Sequence, residues 1–86
     1  MSQVANISTV ALTADVSSSC SITAAADDGK MQTIIYTNNS GSDKVVTVPT
    51  GYKTPNNLGI ELTIPDGGYG EINYLRVGSS IYARGL

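Results

Sequence analysis

The closing third of the chain, GIELTIPDGGYGEINYLRVGSSIYARGL from Gly59 to Leu86, most constrains what this sequence can fold into. Apolar residues recur there at every second position: Ile60, Leu62 and Ile64, then Ile72 and Tyr74, then Ile81 and Ala83. A period of two sends alternate side chains to opposite faces, so each run reads as a half-buried β-strand. Pro65-Asp66-Gly67-Gly68 and Gly78-Ser79-Ser80 stand between the runs. Pro presets φ and Gly accepts positive φ without steric cost, so both segments read as turns. The expected arrangement is a hairpin across Pro65–Gly68 followed by one more strand. Gly70 is small enough for a bulge or for close approach of another backbone.

The same pattern runs through the earlier chain. Val10, Leu12, Ala14 and Val16 alternate with Ala11, Thr13 and Asp15, which predicts one strand over that stretch. Ser17-Ser18-Ser19 breaks it, and a short run with Cys20, Ile22 and Ala24 on one face follows. Asp27-Asp28-Gly29 is a turn signal. Met31–Thr37 is apolar on both faces, with Ile34 and Tyr36 opposite Met31 and Ile35. It is expected to be a central strand, or one covered by a partner. Asn38–Asp43 is a turn, Lys44–Val48 a strand, and Pro49, with no N–H to donate, ends it. Thr50–Leu58 is the longest irregular segment, and such loops are functional or loosely ordered. No window carries apolar residues at helical spacing. About seven short strands with turns every 8–12 residues predict an all-β fold, an antiparallel sandwich or small barrel. The chain reads as a single β-domain, 1–86, with residues 1–8 as a flexible arm or the lead into the first strand.

A chain of 86 residues buries only about 60–65% of its unfolded surface. There is no Trp or Phe, so Val, Ile, Leu, Ala and five Tyr must fill the core. Cys20 is alone and cannot form a disulfide within the chain; its apolar alternation with Ile22 marks a buried structural thiol. Domains this small commonly draw on staples or partners, so oligomerisation or docking on a larger assembly is expected. The net charge is −2, and Lys30, Lys44, Lys53, Arg76 and Arg84 are scattered, which argues against a nucleic-acid partner. The start of the chain lacks the pattern of a secretory signal and no run reaches transmembrane length, so a soluble protein made in a cytoplasm, without a membrane partner, is expected.

The residues offer little chemistry. Without His, Ser-His-Asp and Cys-His arrangements cannot form within one chain. Asp27 and Asp28 read as turn residues, and Glu61 and Glu71 as solvated residues on facing strands of the expected hairpin. Asp27, Asp28 and Asp43 would meet over calcium only if their loops shared one end, and their spacing matches no calcium loop. Gly67–Gly70 lacks phosphate-loop spacing and precedes a strand. No catalytic residue, metal site or cofactor is expected. The tyrosines carry more information, because Tyr is large, rigid and polar at one end, as interfaces favour. Tyr36 and Tyr74 lie on apolar runs and are expected in or beside the core. Tyr52, in the long loop, and Tyr82 with Arg84, on the last strand, are candidate interface residues.

Taken together, YTNNSGSDKVVTVPTG, GIELTIPDGGYGEINYL and GSSIYARG resemble the small β-domains of tailed-phage structural proteins. The resemblance is closest to capsid decoration (cement) proteins and extends to tail-fibre modules. It rests on turn and strand preferences between Tyr36 and Gly85, so it implies a scaffold and transfers no functional residues. It implies a virion protein on the outer capsid surface that binds the major capsid protein, reinforces the shell and is commonly a homotrimer. An N-terminal arm can add to a neighbour's sheet through backbone hydrogen bonds, which makes Gln3, Val4 and Ile7 candidate contacts. The competing expectation is a tail-fibre or carbohydrate-binding β-sandwich module, which would need an exposed aromatic platform.

Overall fold

Among the described residues, period-two alternation becomes seven strands: β1 (Asn6–Leu12), β2 (Val16–Ser17), β3 (Met31–Asn38), β4 (Lys44–Val48), β5 (Ile60–Ile64), β6 (Tyr69–Val77) and β7 (Ser80–Gly85). The computed structural model describes residues 6–49, 51–55 and 57–85, so Gln3 and Val4 lie outside the described residues. The strands form two open sheets, one in the order β1-β3-β6-β7 and the other β2-β4-β5. Their facing sides supply the core: Leu12, Ile34, Tyr36, Ile72, Tyr74 and Ala83 from the first, Val46, Val48 and Ile64 from the second. Each strand buries one face and leaves the other open, as alternation requires. The architecture is a sandwich rather than a closed barrel.

The pairing differs from an all-antiparallel expectation. β1 runs parallel to β3, and β2 parallel to β4, while β3–β6, β4–β5 and β6–β7 are antiparallel. The single strand expected across Val10–Val16 is broken at Thr13–Asp15 and switches sheets there. Asp15 stands at the break: its Oδ1 accepts the Val45 N–H at 2.9 Å, which ties the chain to the other layer. Residues 6–8 belong to β1, so of the two expectations for the start of the chain they follow the lead into the first strand rather than the arm. The run around Cys20 and Ile22 buries both residues without entering either sheet. A single 3-10 turn, Ala25–Asp27, then leads into β3.

Pro65–Gly68 does not close a hairpin. β5 lies in the three-stranded sheet and β6 in the four-stranded one, so this turn crosses between layers, as does the Asn39–Asp43 turn between β3 and β4. The apolar residues explain why. In a hairpin, Leu62, Ile64 and Ile72 would lie side by side in one sheet with nothing above them; across the crossover they face one another. At Gly70 there is neither a bulge nor a second backbone: the register with β3 is unbroken and side chains approach instead, so that a Cβ there would stand 2.6 Å from a Leu62 methyl and 2.7 Å from an Ile64 methyl. The true hairpin is β6–β7, turned at Gly78 with φ +61°, a conformation glycine accepts readily.

Asn38 joins the two crossovers. It is fully buried at the end of β3. Its Nδ2 donates to the Ser42 carbonyl at 2.7 Å and the Ile64 carbonyl at 2.8 Å. Its Oδ1 accepts from the Ser40 N–H at 3.0 Å and the Ser40 hydroxyl at 2.7 Å. Its backbone exchanges hydrogen bonds with Gly67 and Gly68. Losing one partner of a buried hydrogen bond costs about 1–3 kcal/mol, because the other is left unsatisfied. Asn38→Ala takes the donor from the buried Ile64 carbonyl and one donor from the Ser42 carbonyl, and should destabilise the fold by about 2 kcal/mol. Urea unfolding checks this; a midpoint within error of wild type at an unchanged slope would refute it.

Candidate functional site

The outward side of the four-stranded sheet is unlike that of an ordinary solvated strand layer. Register places its side chains in rows across the strands. Met31, Leu75 and Tyr82 form one row, with Val77 beyond it. Ile7, Thr33, Asn73 and Arg84 form the next, and Thr9, Ile35 and Glu71 the one after. Met31, Val77, Tyr82 and Ile7 are each at least half exposed. Thr33 donates its hydroxyl to Asn73 Oδ1 at 2.7 Å, and Asn73 Nδ2 donates to Glu71 at 3.0 Å, so a short polar line runs beside the apolar Met31–Leu75–Tyr82 row. Among the described residues, nothing covers this face.

One side of the face is shaped into a groove of about 430 Å³. Its floor is Met31, Leu75 and Tyr82, with Asn73 and Arg84 beside them, and its far wall is Lys53–Pro55. That wall exists because the long loop is tied to β7: the Lys53 N–H donates to the Ile81 carbonyl, and the Ala83 N–H to the Lys53 carbonyl, both at 2.8 Å. The loop expected to be either functional or loosely ordered is therefore strand-like at Lys53 and edges the sheet. Lys30 pairs with Asp27 at 3.3 Å, Lys44 reaches the Ser42 hydroxyl and Arg76 donates to the Thr23 carbonyl. Among the described residues, the Lys53 and Arg84 side chains have no such partner, which leaves two free cations flanking the groove.

Tyr82 and Arg84 therefore lie on one exposed surface, and Ile7 shares the same sheet face from the opposite edge. Tyr52 points elsewhere. Its ring tilts against Tyr74 with centroids 5.2 Å apart, and its hydroxyl accepts the Cys20 N–H at 3.2 Å, so it is engaged with the core. Met31, Leu75, Asn73 and Lys53 were not singled out as surface residues by sequence reasoning. The available signal was the second apolar face of Met31–Thr37, together with Leu75 and Val77 on the side of β6 that otherwise reads polar.

The carboxylates are used locally. Asp28 accepts the Gly78 N–H, Asp66 accepts the Gly41 N–H, and Asp27 accepts the Ala24 N–H while pairing with Lys30. Asp28 precedes β3 and Asp43 follows it, so an eight-residue strand of roughly 25 Å separates them. The shared loop end that calcium would need does not form. Glu61 and Glu71 do not face each other across a hairpin, because they stand on the outer sides of different sheets.

A buried hydroxyl cluster lies beneath the groove. Ser18 Oγ accepts from Tyr36 at 2.8 Å and from Tyr74 at 2.5 Å, and all three residues are buried. The cluster is enclosed and lacks an adjacent base, so its role is to satisfy two phenols inside an apolar layer. Burial pushes the Tyr74 phenol well above its ordinary value of 10.0, against the opposing effect of the Ser18 hydrogen bond. Searches against protein-family models, curated proteins and solved structures find no match to this chain.

The Tyr74 shift has a definite sign. Above about pH 10 an unfolded tyrosine releases its proton while folded Tyr74 keeps it. Its contribution to stability is therefore complete below that pH and is lost as pH rises, by about 1.4 kcal/mol per pH unit. Tyr74→Phe should be less stable at neutral pH through loss of the hydrogen bond, yet show a shallower decline between about pH 10 and 11.5. Urea midpoints across that range check the slope; identical slopes in both proteins would contradict it.

Proposed function

We propose that this chain is a virion structural protein, a capsid decoration protein that seats the outward face of its four-stranded sheet on the outer capsid surface. The observation that carries this reading is the uncovered apolar face itself, with the Met31–Leu75–Tyr82 groove flanked by unpaired Lys53 and Arg84. Exposed aromatic and arginine side chains beside aliphatic ones are what the centre of a protein interface is built from. The small core adds a reason for docking: binding to the folded state alone stabilises it by mass action. The resemblance in the strand and turn pattern supplies the capsid as the partner. Tyr82 beside Asn73 and Arg84 also offers an aromatic platform, which is the observation favouring the second reading, a carbohydrate-binding module.

Co-sedimentation with assembled tailed-phage capsid shells tests the proposal. Wild type should pellet with its shell, and Leu75→Lys and Tyr82→Ala should each weaken binding at least tenfold while urea midpoints stay close to wild type. Arg84→Ala should weaken binding less and reduce its salt dependence, as an exposed charge at the rim of an interface does. Absence of pelleting with any shell, or equal pelleting by all variants, would remove the capsid reading. Saturable binding on a glycan array, abolished by Tyr82→Ala, would put the sugar-binding reading in its place.

A further inference from the structure

Among the described residues, the two sheets have four outer edges, and three of them are blunted. The edge of β7 is covered by the Lys53 bridge. β2 is two residues long. β5 is five residues long, carries Glu61 and is followed at once by Pro65. Short strands, charge, proline and covering loops are the usual defences of a sheet edge, because unpaired N–H and C=O groups recruit another strand. β1 has none of these. It runs for seven residues, NISTVAL, without a charge or a proline, and its register with β3 is continuous, with no bulge. Among the described residues, no segment pairs with its outer edge.

A second observation concerns Val10. It shares the core-facing side of the sheet with Tyr36, its register partner, yet it is 38% exposed while Tyr36 is 4%. Leu12, on the same side of β1, is 4% exposed, so Val10 is a residue on the core side left open at the edge. On the other side of the same strand, Ile7 is 60% exposed.

We infer that β1 is a homotypic docking edge, on which two copies of this chain pair antiparallel through their β1 strands about a two-fold axis at Thr9. The strand is self-complementary in that register. Ile7 meets the second copy's Ala11, Thr9 meets Thr9 and Val10 meets Ser8, so large residues face small ones and no like charges oppose. The pairing turns two four-stranded sheets into one of eight strands, satisfies the open edge and gives Val10 a neighbour. It leaves the Met31–Leu75–Tyr82 groove uncovered in both copies and places the two grooves on one continuous face. This inference stands on the edge alone and does not depend on the capsid reading.

Sedimentation velocity over about 1–500 μM is the test, joined to cross-linking of substituted cysteines. Wild type should pass from monomer to dimer with concentration. Val10→Lys, which puts a charge on the edge, should raise the dimer dissociation constant at least tenfold, while the β-branched swap Val10→Thr should change it far less. In an antiparallel pair the two residues at the axis have Cα atoms roughly 4.5–5.5 Å apart, within disulfide reach. Mild oxidation of Thr9→Cys should therefore give a covalent dimer linked at that position, while Thr63→Cys, exposed on the other sheet, stays monomeric. Circular dichroism confirms that each variant is folded. A monomer at every concentration, an oligomer that Val10→Lys leaves intact, or equal cross-linking at Thr9 and Thr63 would overturn the inference.

Discussion

The hydrogen bonds of Asn38 are the constraint on which the rest of the structure depends. A two-layer β-domain of this size has to pass its chain between layers, and both central crossovers do so at the end of β3. One amide side chain serves them together, donating to a carbonyl in each and accepting twice from Ser40. The backbone of the same residue pairs with Gly67 and Gly68. Asn38 itself is fully buried, and its bond to the Ile64 carbonyl is made out of reach of water, so the geometry of the two turns is specified jointly rather than one at a time. The contact between Gly41 and Asp66 ties the turns again from outside.

With the crossovers set, the division of strands follows, four in one layer and three in the other. The two edges of the larger layer differ. On one side the Lys53 segment adds itself to β7, closing the edge and raising a wall beside Tyr82. On the other, β1 leaves Val10 open on its core-facing side. The core between the layers lacks Phe and Trp, and its largest side chains are tyrosines whose hydroxyls must be satisfied. Ser18 does this for two of them, and the Cys20 backbone meets the hydroxyl of a third, Tyr52. The irregular stretch from Ser18 to Ile22 thus belongs to the core as fully as a strand does.

Much of the candidate surface was legible as composition but not as place. Tyr82 stood out from the sequence because a tyrosine is large, rigid and polar at one end, with Arg84 near it on the last strand. Tyr52 stood out for the same reason and is turned inward, because its loop is held against β7 and its ring finds Tyr74. Met31 and Leu75 are far apart in sequence and become neighbours only through the β3–β6 register. A local pattern shows that a strand has a second apolar face; it carries no information on which other strands contribute to that face.

The sequence by itself determined the class of fold, the approximate positions of most strands and the turn at Gly78. These follow from interactions within a few residues: side-chain alternation, the φ restriction of proline and the freedom of glycine. It could not determine that Pro65–Gly68 crosses between sheets, that the first expected strand breaks at Thr13–Asp15, or that β1 and β2 pair in parallel. Those outcomes depend on contacts between segments far apart in the chain, where burying Leu62 and Ile64 against Ile72 outweighs the hairpin that the same turn residues would otherwise form. Local chemistry chose strands and turns; only the packing of two apolar layers decided which strands are neighbours and which face and edge remain open.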